Sequence, residues 1–447
     1  MICRSLNDLQ MTMKKRIVSS FLFITFSLIY VSPSLFAQDP NQQMGDLLNN
    51  KDLFELDKQY PQLKSQVMPM LDYLAQSVLA DAFNQPAQGH VALDSLLSNQ
   101  TYQDQLGFGN ICSLILLKAQ LYEVEHNYTE AVTLLQSFLD QTAQAPLGDI
   151  RGNMQKALGI YQVLASHPPF DVKRPETDCT VAYTLEKAGR NQSILVPCAI
   201  NGVEQKMIFD TGCPKYNYID AQLAADLGLE LLMDSIPMSG IGEGYGWLGM
   251  ADSLQMGDIT CYHPLFYVVD HSSFSDTPVS VEVVLGSYLL NHLGEFQLHP
   301  QQNTITFPHQ LTPQPASGRN LVMQNRHLFF QVQHDGQHKV IHFDTGNVKS
   351  YLNQRFYTDH QDWVMREGLA DTLKVGGFGG VSIQPAYQLP IMIFKMDAVA
   401  VEFKNLDVST EPLGELWVEQ GNFGVDFVQQ YEKVVVNYKD MFIQLVR

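Results

Sequence analysis

The sequence has no His-Glu-x-x-His and no glycine-rich loop ending in Lys-Ser or Lys-Thr. The first absence excludes the helix-borne zinc hydrolase pattern, the second a nucleotide phosphate cradle. Cysteine is sparse. Beyond Cys3 there are Cys112, Cys179, Cys198, Cys213 and Cys261, an odd set whose spacings match no zinc pattern. No metal and no cofactor is therefore expected. One disulfide is open to these cysteines in an oxidising compartment, and spacing does not choose its pair. Positive charge is also scarce, with 28 Lys and Arg against 47 Asp and Glu, for a formal net charge of -19. Such a surface repels phosphate backbones and excludes nucleic acid as a partner. Charged residues make up 17% against 45% hydrophobic, enough to bury a large core.

Long apolar runs are missing too, with one exception. Ile17 to Val31 follows the basic cluster Met13-Lys14-Lys15-Arg16 and is too short to span a bilayer comfortably. Residues 1–37 are read as a signal peptide starting at Met13, with cleavage after Leu35-Phe36-Ala37; an uncleaved anchor helix is the alternative. No Cys follows the apolar core, which argues against a lipoprotein. The protein is expected to be exported, to a periplasmic or extracellular location.

What the chain does have is one short stretch twice. Met207-Ile208-Phe209-Asp210-Thr211-Gly212 returns as Val340-Ile341-His342-Phe343-Asp344-Thr345-Gly346, the aspartates 134 positions apart. A lone Asp-Thr-Gly is an ordinary turn after a strand. Here each copy is followed by the same landmarks. A glycine-rich loop comes first, Gly240–Gly246 and Gly376–Gly380. A strand pair follows around Asp258 and Asp397, then an apolar run reaching glycine, Val283-Val284-Leu285-Gly286 and Asn422-Phe423-Gly424. Each copy closes on a strand, Thr304–Phe307 and Met441–Leu445. A repeat of this length predicts two copies of one β-rich lobe. Asn201-Gly202 and Asp335-Gly336 predict the hairpin turns before each Asp, and Asp220 predicts a helix cap.

Residues 40–170 read as helix, from apolar spacings of three and four such as Leu71-Leu74-Val78-Leu79-Ala82. At an offset of 39, Ala80, Phe83, Ala92 and Leu96 match Ala119, Tyr122, Ala131 and Leu135. This segment resembles a tetratricopeptide helical hairpin, with a plain antiparallel bundle as the equal alternative. It carries no catalytic constellation, and docking of a protein partner or support for the lobes is its expected role. Pro168-Pro169 ends the helices, and Pro175 to Gly189 reads as a connection. The fold class is thus multidomain: an all-α helical-hairpin domain (40–170), then a mainly-β bilobal acid-protease-like domain with lobes at 190–308 and 320–447. Pro308 to Asn320 joins the lobes.

The order Asp-Thr-Gly, glycine-rich loop, apolar run and Gly, duplicated from about Ser193 to Arg447, resembles the aspartic proteases, in the form with two retropepsin-like lobes fused in one chain. The resemblance implies an exported aspartic endopeptidase that acts on a peptide or protein substrate. Asp210 and Asp344 would be the catalytic pair. Thr211 and Thr345 would lock the two loops across a shared axis, and Gly212 and Gly346 would allow their close approach. Gly286 and Gly424 would let the apolar run pack behind them. Gly242, Gly244 and Tyr245, with Trp247 beside them, and Gly377, Phe378 and Gly379 would form flaps over the substrate. Two copies in one chain imply a monomer. One departure stands out: the family usually follows the motif with Ser, Thr or Ala, where a hydroxyl, when present, would bond the outer carboxylate oxygen, and here Cys213 and Asn347 follow. They motivate the alternative, a catalytically weak or inactive peptide-binding module with a helical docking domain. Cys213 itself has no His placed by the sequence to act as its base.

Overall fold

The computed structural model describes residues 39–188, 191–270, 282–414 and 416–447. The signal-peptide reading of residues 1–37 lies outside them. Among the described residues the chain is an N-terminal helical region followed by a mainly-β part of three sheets.

The helices are α1 (Pro40–Asn49), α2 (Leu53–Leu63), α3 (Pro69–Ala82), α4 (Pro86–Leu97), α5 (Gln100–Leu106), α6 (Phe108–Val124), α7 (Tyr128–Gln141) and α8 (Asp149–Ala165). Proline opens α1, α3 and α4, where its missing N–H is no loss. Asp39, Asp52 and Asn99 accept a backbone N–H from the first turns of α1, α2 and α5. The offset repeat falls on two successive hairpins, α3–α4 and α6–α7. Ala80, Phe83, Ala92, Leu96, Ala119, Ala131 and Leu135 are all buried. Small residues bring the helices close: a Cβ on Gly89 would lie 2.5 Å from Leu121 Cδ1.

The first lobe is built on an 11-stranded sheet. The hairpin Asn191–Ile200 and Val203–Phe209 turns at Asn201 and Gly202, both at positive φ (49° and 79°), as expected of an Asn-Gly turn. Val203–Phe209 then pairs parallel with Val283–Leu285, setting Ile208 opposite Val284. Asp220 caps Ala221–Asp226 by accepting from Gln222 and Leu223 N–H. The eight-stranded sheet of the second lobe repeats the plan. Gln337–Phe343 pairs parallel with Gly421–Phe423, setting His342 opposite Asn422.

The third sheet is shared. Glu295–His299 of the first lobe pairs antiparallel with Lys433–Asn437 of the second, and Thr304–Phe307 and Phe442–Val446 flank them. The closing strands of the two copies thus fasten the lobes together. The linker bends back beneath this sheet: buried Glu295 accepts Thr312 N–H and Oγ–H, at 2.8 and 2.6 Å, and Asn437 Nδ2 at 2.7 Å.

One expectation needs correction. Pro175 to Gly189 is not merely a connection. Cys179–Ala182 completes the shared sheet against Thr304–Phe307, Thr184–Ala188 pairs with the strand before Asn201-Gly202, and the still earlier Asp171–Lys173 pairs with Ile259–Tyr262. The β part therefore begins near 171 rather than 190. These strands are short and two of them pair only with residues far along the chain, so local periodicity does not mark them. The five cysteines from Cys112 onward are free thiols.

Candidate active site

Each Asp-Thr-Gly leaves the end of a strand with its first N–H tied behind it. Asp210 N donates to Leu285 O at 3.1 Å, and Asp344 N donates to Phe423 O at 3.0 Å. The strand pairing of each lobe therefore aims its loop at the other lobe. The loops meet through their threonines. Thr211 Oγ1 donates to Phe343 O (2.9 Å) and accepts Thr345 N–H (3.0 Å). Thr345 Oγ1 donates to Phe209 O (2.8 Å) and accepts Thr211 N–H (3.1 Å). Both threonines are fully buried, so these bonds are shielded from water.

The glycines set the approach. A Cβ on Gly212 would lie 2.3 Å from Asp344 Cγ, and one on Gly346 would lie 2.3 Å from Asp210 Cγ. Each glycine thus presses on the opposite aspartate. Behind them, a Cβ on Gly286 would meet Tyr216 O at 2.8 Å and one on Gly424 would meet Asn347 O at 2.0 Å, so both apolar runs lie against the loop backbones.

The two carboxyls lie each against the opposite loop's glycine but have different surroundings. Asp210 Oδ1 accepts the N–H groups of Gly212 (2.7 Å) and Cys213 (3.0 Å). Burial and then the Asp344 charge push its pKa well above the usual carboxylate range, overcoming those two backbone bonds. Asp344 is held at both oxygens: Oδ1 accepts Asn347 N–H at 3.1 Å and Oδ2 accepts the Asn422 amide at 2.9 Å. These surroundings favour the protonated form of Asp210 within the pair.

Asn422 is a site residue that the sequence reading passed over as part of an apolar run. It stands where the first lobe has Val284. Its Nδ2 also lies 3.1 Å from His342 Nδ1, and its Oδ1 accepts Asn347 Nδ2 at 3.0 Å. His342 is buried, with a pKa pushed down to about 3, so it is neutral and its Nδ1 can accept. Neither residue after the motif replaces the hydroxyl directly. Asn347 orients Asn422, and Cys213 turns its thiol to Tyr216 O at 3.4 Å. Burial, then the two aspartates, push the Cys213 thiol well up, which disfavours a thiolate nucleophile. We expect Asn422→Val, which copies the first lobe, to lower kcat for a peptide by about 10- to 100-fold, since a bond to a charged group contributes about 1.5–3 kcal/mol. The acid limb of the pH–rate profile should move to higher pH. An unchanged profile would dismiss the amide as a tuning group.

The glycine-rich stretches are hairpins, Glu230–Ser239 with Glu243–Met250 and Leu369–Gly377 with Gly380–Met396. Their tips touch: Gly242 N donates to Phe378 O at 3.0 Å, and a Cβ on Gly379 would lie 2.4 Å from Gly242 Cα. Phe378 packs on the apolar cluster of Leu195, Ile208, Tyr218, Val269 and Val284, with Cys213 at its edge. Gly244 passes under the Phe378 ring, where a Cβ would meet Cζ at 3.0 Å, and Gly377 faces Ile241. Tyr245 does not close on the cleft. It is 73% exposed, because strand alternation turns it to solvent while Gly246 and Leu248 face inward. Phe378, from the other lobe, is the aromatic at the tip.

Among known families, the model described as aspartyl protease matches residues 196–289, the span from before Asp210 to just past Gly286. No curated protein matches the chain. Solved structures that resemble it include basic 7S globulin from soybean, at 10% identity and a TM-score of 0.39, covering 61% of this chain and 95% of that one. Conglutin gamma, a basic 7S globulin from lupine seeds, is 9% identical with a TM-score of 0.37, covering 58% and 92%. A retropepsin-like aspartic protease from Rickettsia conorii is 15% identical with a TM-score of 0.21, covering 31% and 90%. At these scores none of the three bears on function.

Proposed function

We propose that the chain is an exported, monomeric aspartic endopeptidase whose catalytic pair, Asp210 and Asp344, comes from two lobes of one chain. The observation that carries this reading is the meeting of two Asp-Thr-Gly loops, with each glycine against the opposite carboxylate. The aspartyl protease match over residues 196–289 supports it. Peptide hydrolysis without a metal or covalent nucleophile needs an activated water. Ionised Asp344 takes a proton from a water held between the carboxylates, and protonated Asp210 donates to the scissile carbonyl as the water attacks. The resulting diol collapses when its proton returns to Asp210 and the proton on Asp344 passes to the leaving amine. The hairpin tips offer backbone groups to an extended peptide and exclude bulk water. Helices α1 to α8 would serve as a tetratricopeptide-like support or docking domain.

A second reading, a peptide-binding module without turnover, is favoured by one feature. Cys213 gives its hydrogen bond to Tyr216 rather than Asp210, so the first aspartate lacks a side-chain tuning donor of the Asn422 kind. Digestion of a peptide library between pH 3 and 8, with wild type and Asp344→Asn, separates the two. The protease reading expects cleavage by wild type alone and inhibition by a statine-type transition-state mimic. Binding of peptides without cleavage at any of these pH values, and indifference to the mimic, would establish the module instead.

A further inference from the structure

The loop after each catalytic motif continues into a lysine: Cys213-Pro214-Lys215-Tyr216 in the first lobe and Asn347-Val348-Lys349-Ser350 in the second. The second lobe holds its loop with its own acids. Lys349 Nζ pairs with Asp407 at 2.5 Å, and Ser350 N and Oγ donate to Asp426 Oδ1 at 2.8 and 2.5 Å. The first lobe has no acid at either corresponding position. Phe266 matches Asp407 by strand register, Asn217 pairing with Phe266 as Tyr351 pairs with Asp407. Tyr288 matches Asp426, each two residues past the glycine of the apolar run.

The missing acid comes from the helical domain. Glu123, near the end of α6, is buried. Its Oε1 accepts Tyr216 Oη–H at 2.8 Å and pairs with Lys215 Nζ at 3.0 Å, while Oε2 accepts Tyr161 Oη–H from α8 at 3.0 Å. Burial would raise its pKa, but Lys215 and Tyr216 hold it below the usual carboxylate range, so it is an anion. Lys215 sits at φ 67°, a left-handed conformation that a side-chain-bearing residue adopts only when its surroundings hold it. The connection to the catalytic aspartate is short. Tyr216 O accepts the Cys213 thiol, Cys213 O accepts Ser287 N–H at 2.9 Å, and Cys213 N–H is one of the two donors on Asp210 Oδ1.

We propose that the helical domain completes the active site: Glu123 is a positioning residue for Asp210, standing in the first lobe for the Asp407 and Asp426 of the second. The assignment rests on the protease reading for its consequence but not for its test. Cys213 reports the loop directly, because it is half-buried whereas Cys112, Cys179, Cys198 and Cys261 are buried. In the full chain, Glu123→Gln is expected to speed alkylation of Cys213 by iodoacetamide at least fivefold, read by mass spectrometry, with the other four thiols still protected. Tyr216→Phe, which removes one link and keeps the ring, should act in the same direction by a smaller factor. Asn84→Gly cuts another contact between helices and lobes, to Asn291 Oδ1 (2.8 Å) and Tyr438 O (3.0 Å), at a residue with φ 53° that glycine tolerates. It should leave the Cys213 rate unchanged.

On a peptide substrate, Glu123→Gln should lower kcat at least tenfold, change KM less than twofold and move the basic limb of the pH profile upward, as Asp210 loses the Cys213 donor. Faster alkylation in a protein with no peptidase activity would uphold the coupling and sink the protease reading. Wild-type alkylation and an unshifted pH limb in active Glu123→Gln would sink the coupling alone. If Glu123→Gln exposes all five thiols from Cys112 onward it has unfolded, and Tyr216→Phe decides: a Cys213-specific increase upholds the proposal, and a wild-type rate overturns it.

Discussion

Gly346→Ala is expected to abolish peptide hydrolysis while leaving both aspartates in the chain. A Cβ there would lie 2.3 Å from Asp210 Cγ and 2.4 Å from each of its oxygens, far inside contact distance. The conflict is one of approach, since Gly346 is not among the residues at positive φ. Neither loop can retreat cheaply. The Thr211 and Thr345 bonds tie each loop to the opposite strand end, and leaving such buried groups unsatisfied costs about 1–3 kcal/mol each. Either the carboxyls separate or the threonine bonds break. We expect kcat to fall at least about 100-fold, as general acid–base catalysis is lost, and stability to drop by roughly 2–4 kcal/mol. Gly152→Ala in α8 is the control. A Cβ there meets nothing within 4 Å, and alanine in a helix should raise the melting temperature slightly while leaving kcat alone. Full activity in Gly346→Ala would mean that the two loops do not meet as described.

The layout of the β part was legible because the chain contains its own comparison. Two copies of Asp-Thr-Gly, each with a glycine-rich hairpin and a closing strand, were enough to expect two lobes, and Asn201-Gly202 and Asp220 marked their turn and cap from local chemistry alone. What stayed hidden was of two kinds. The strands Asp171–Lys173 and Cys179–Ala182 are held by partners some 80 to 130 residues later, and so few residues carry no period of their own. The other kind is asymmetry between the copies. Reading position against position, Ile208 against His342 and Val284 against Asn422, places polar residues of the second lobe where the first is apolar. That was the available signal for the amide beside Asp344. Glu123 gave none, because its partners lie across a domain boundary and a lone acid on a helix is ordinarily a solvated one. Tyr245 was misplaced for a simpler reason: glycines on both sides obscured the strand alternation that turns it outward.

Asp210→Asn is expected to remove hydrolysis and to make the protein more stable at neutral pH. The activity loss follows from chemistry: an amide cannot hold the proton that polarises the scissile carbonyl, and positioned proton transfer contributes about 10²- to 10⁴-fold. The stability gain follows from the environment of the group. In the unfolded chain an aspartate titrates near about 3.9. In the folded protein burial and the neighbouring Asp344 charge hold Asp210 well above that. Between those two values the folded state keeps a proton that the unfolded state has already lost. Stability from this group is therefore complete below the unfolded pKa and falls as pH rises toward the folded one. Asparagine carries no such dependence. Thermal midpoints of wild type and Asp210→Asn, measured from pH 4 to 8, should lie close together at the acid end and separate as pH rises, with the variant higher. Parallel midpoints across the range would mean that Asp210 ionises like a free carboxylate, and retained peptide turnover in the variant would remove it from the catalytic pair.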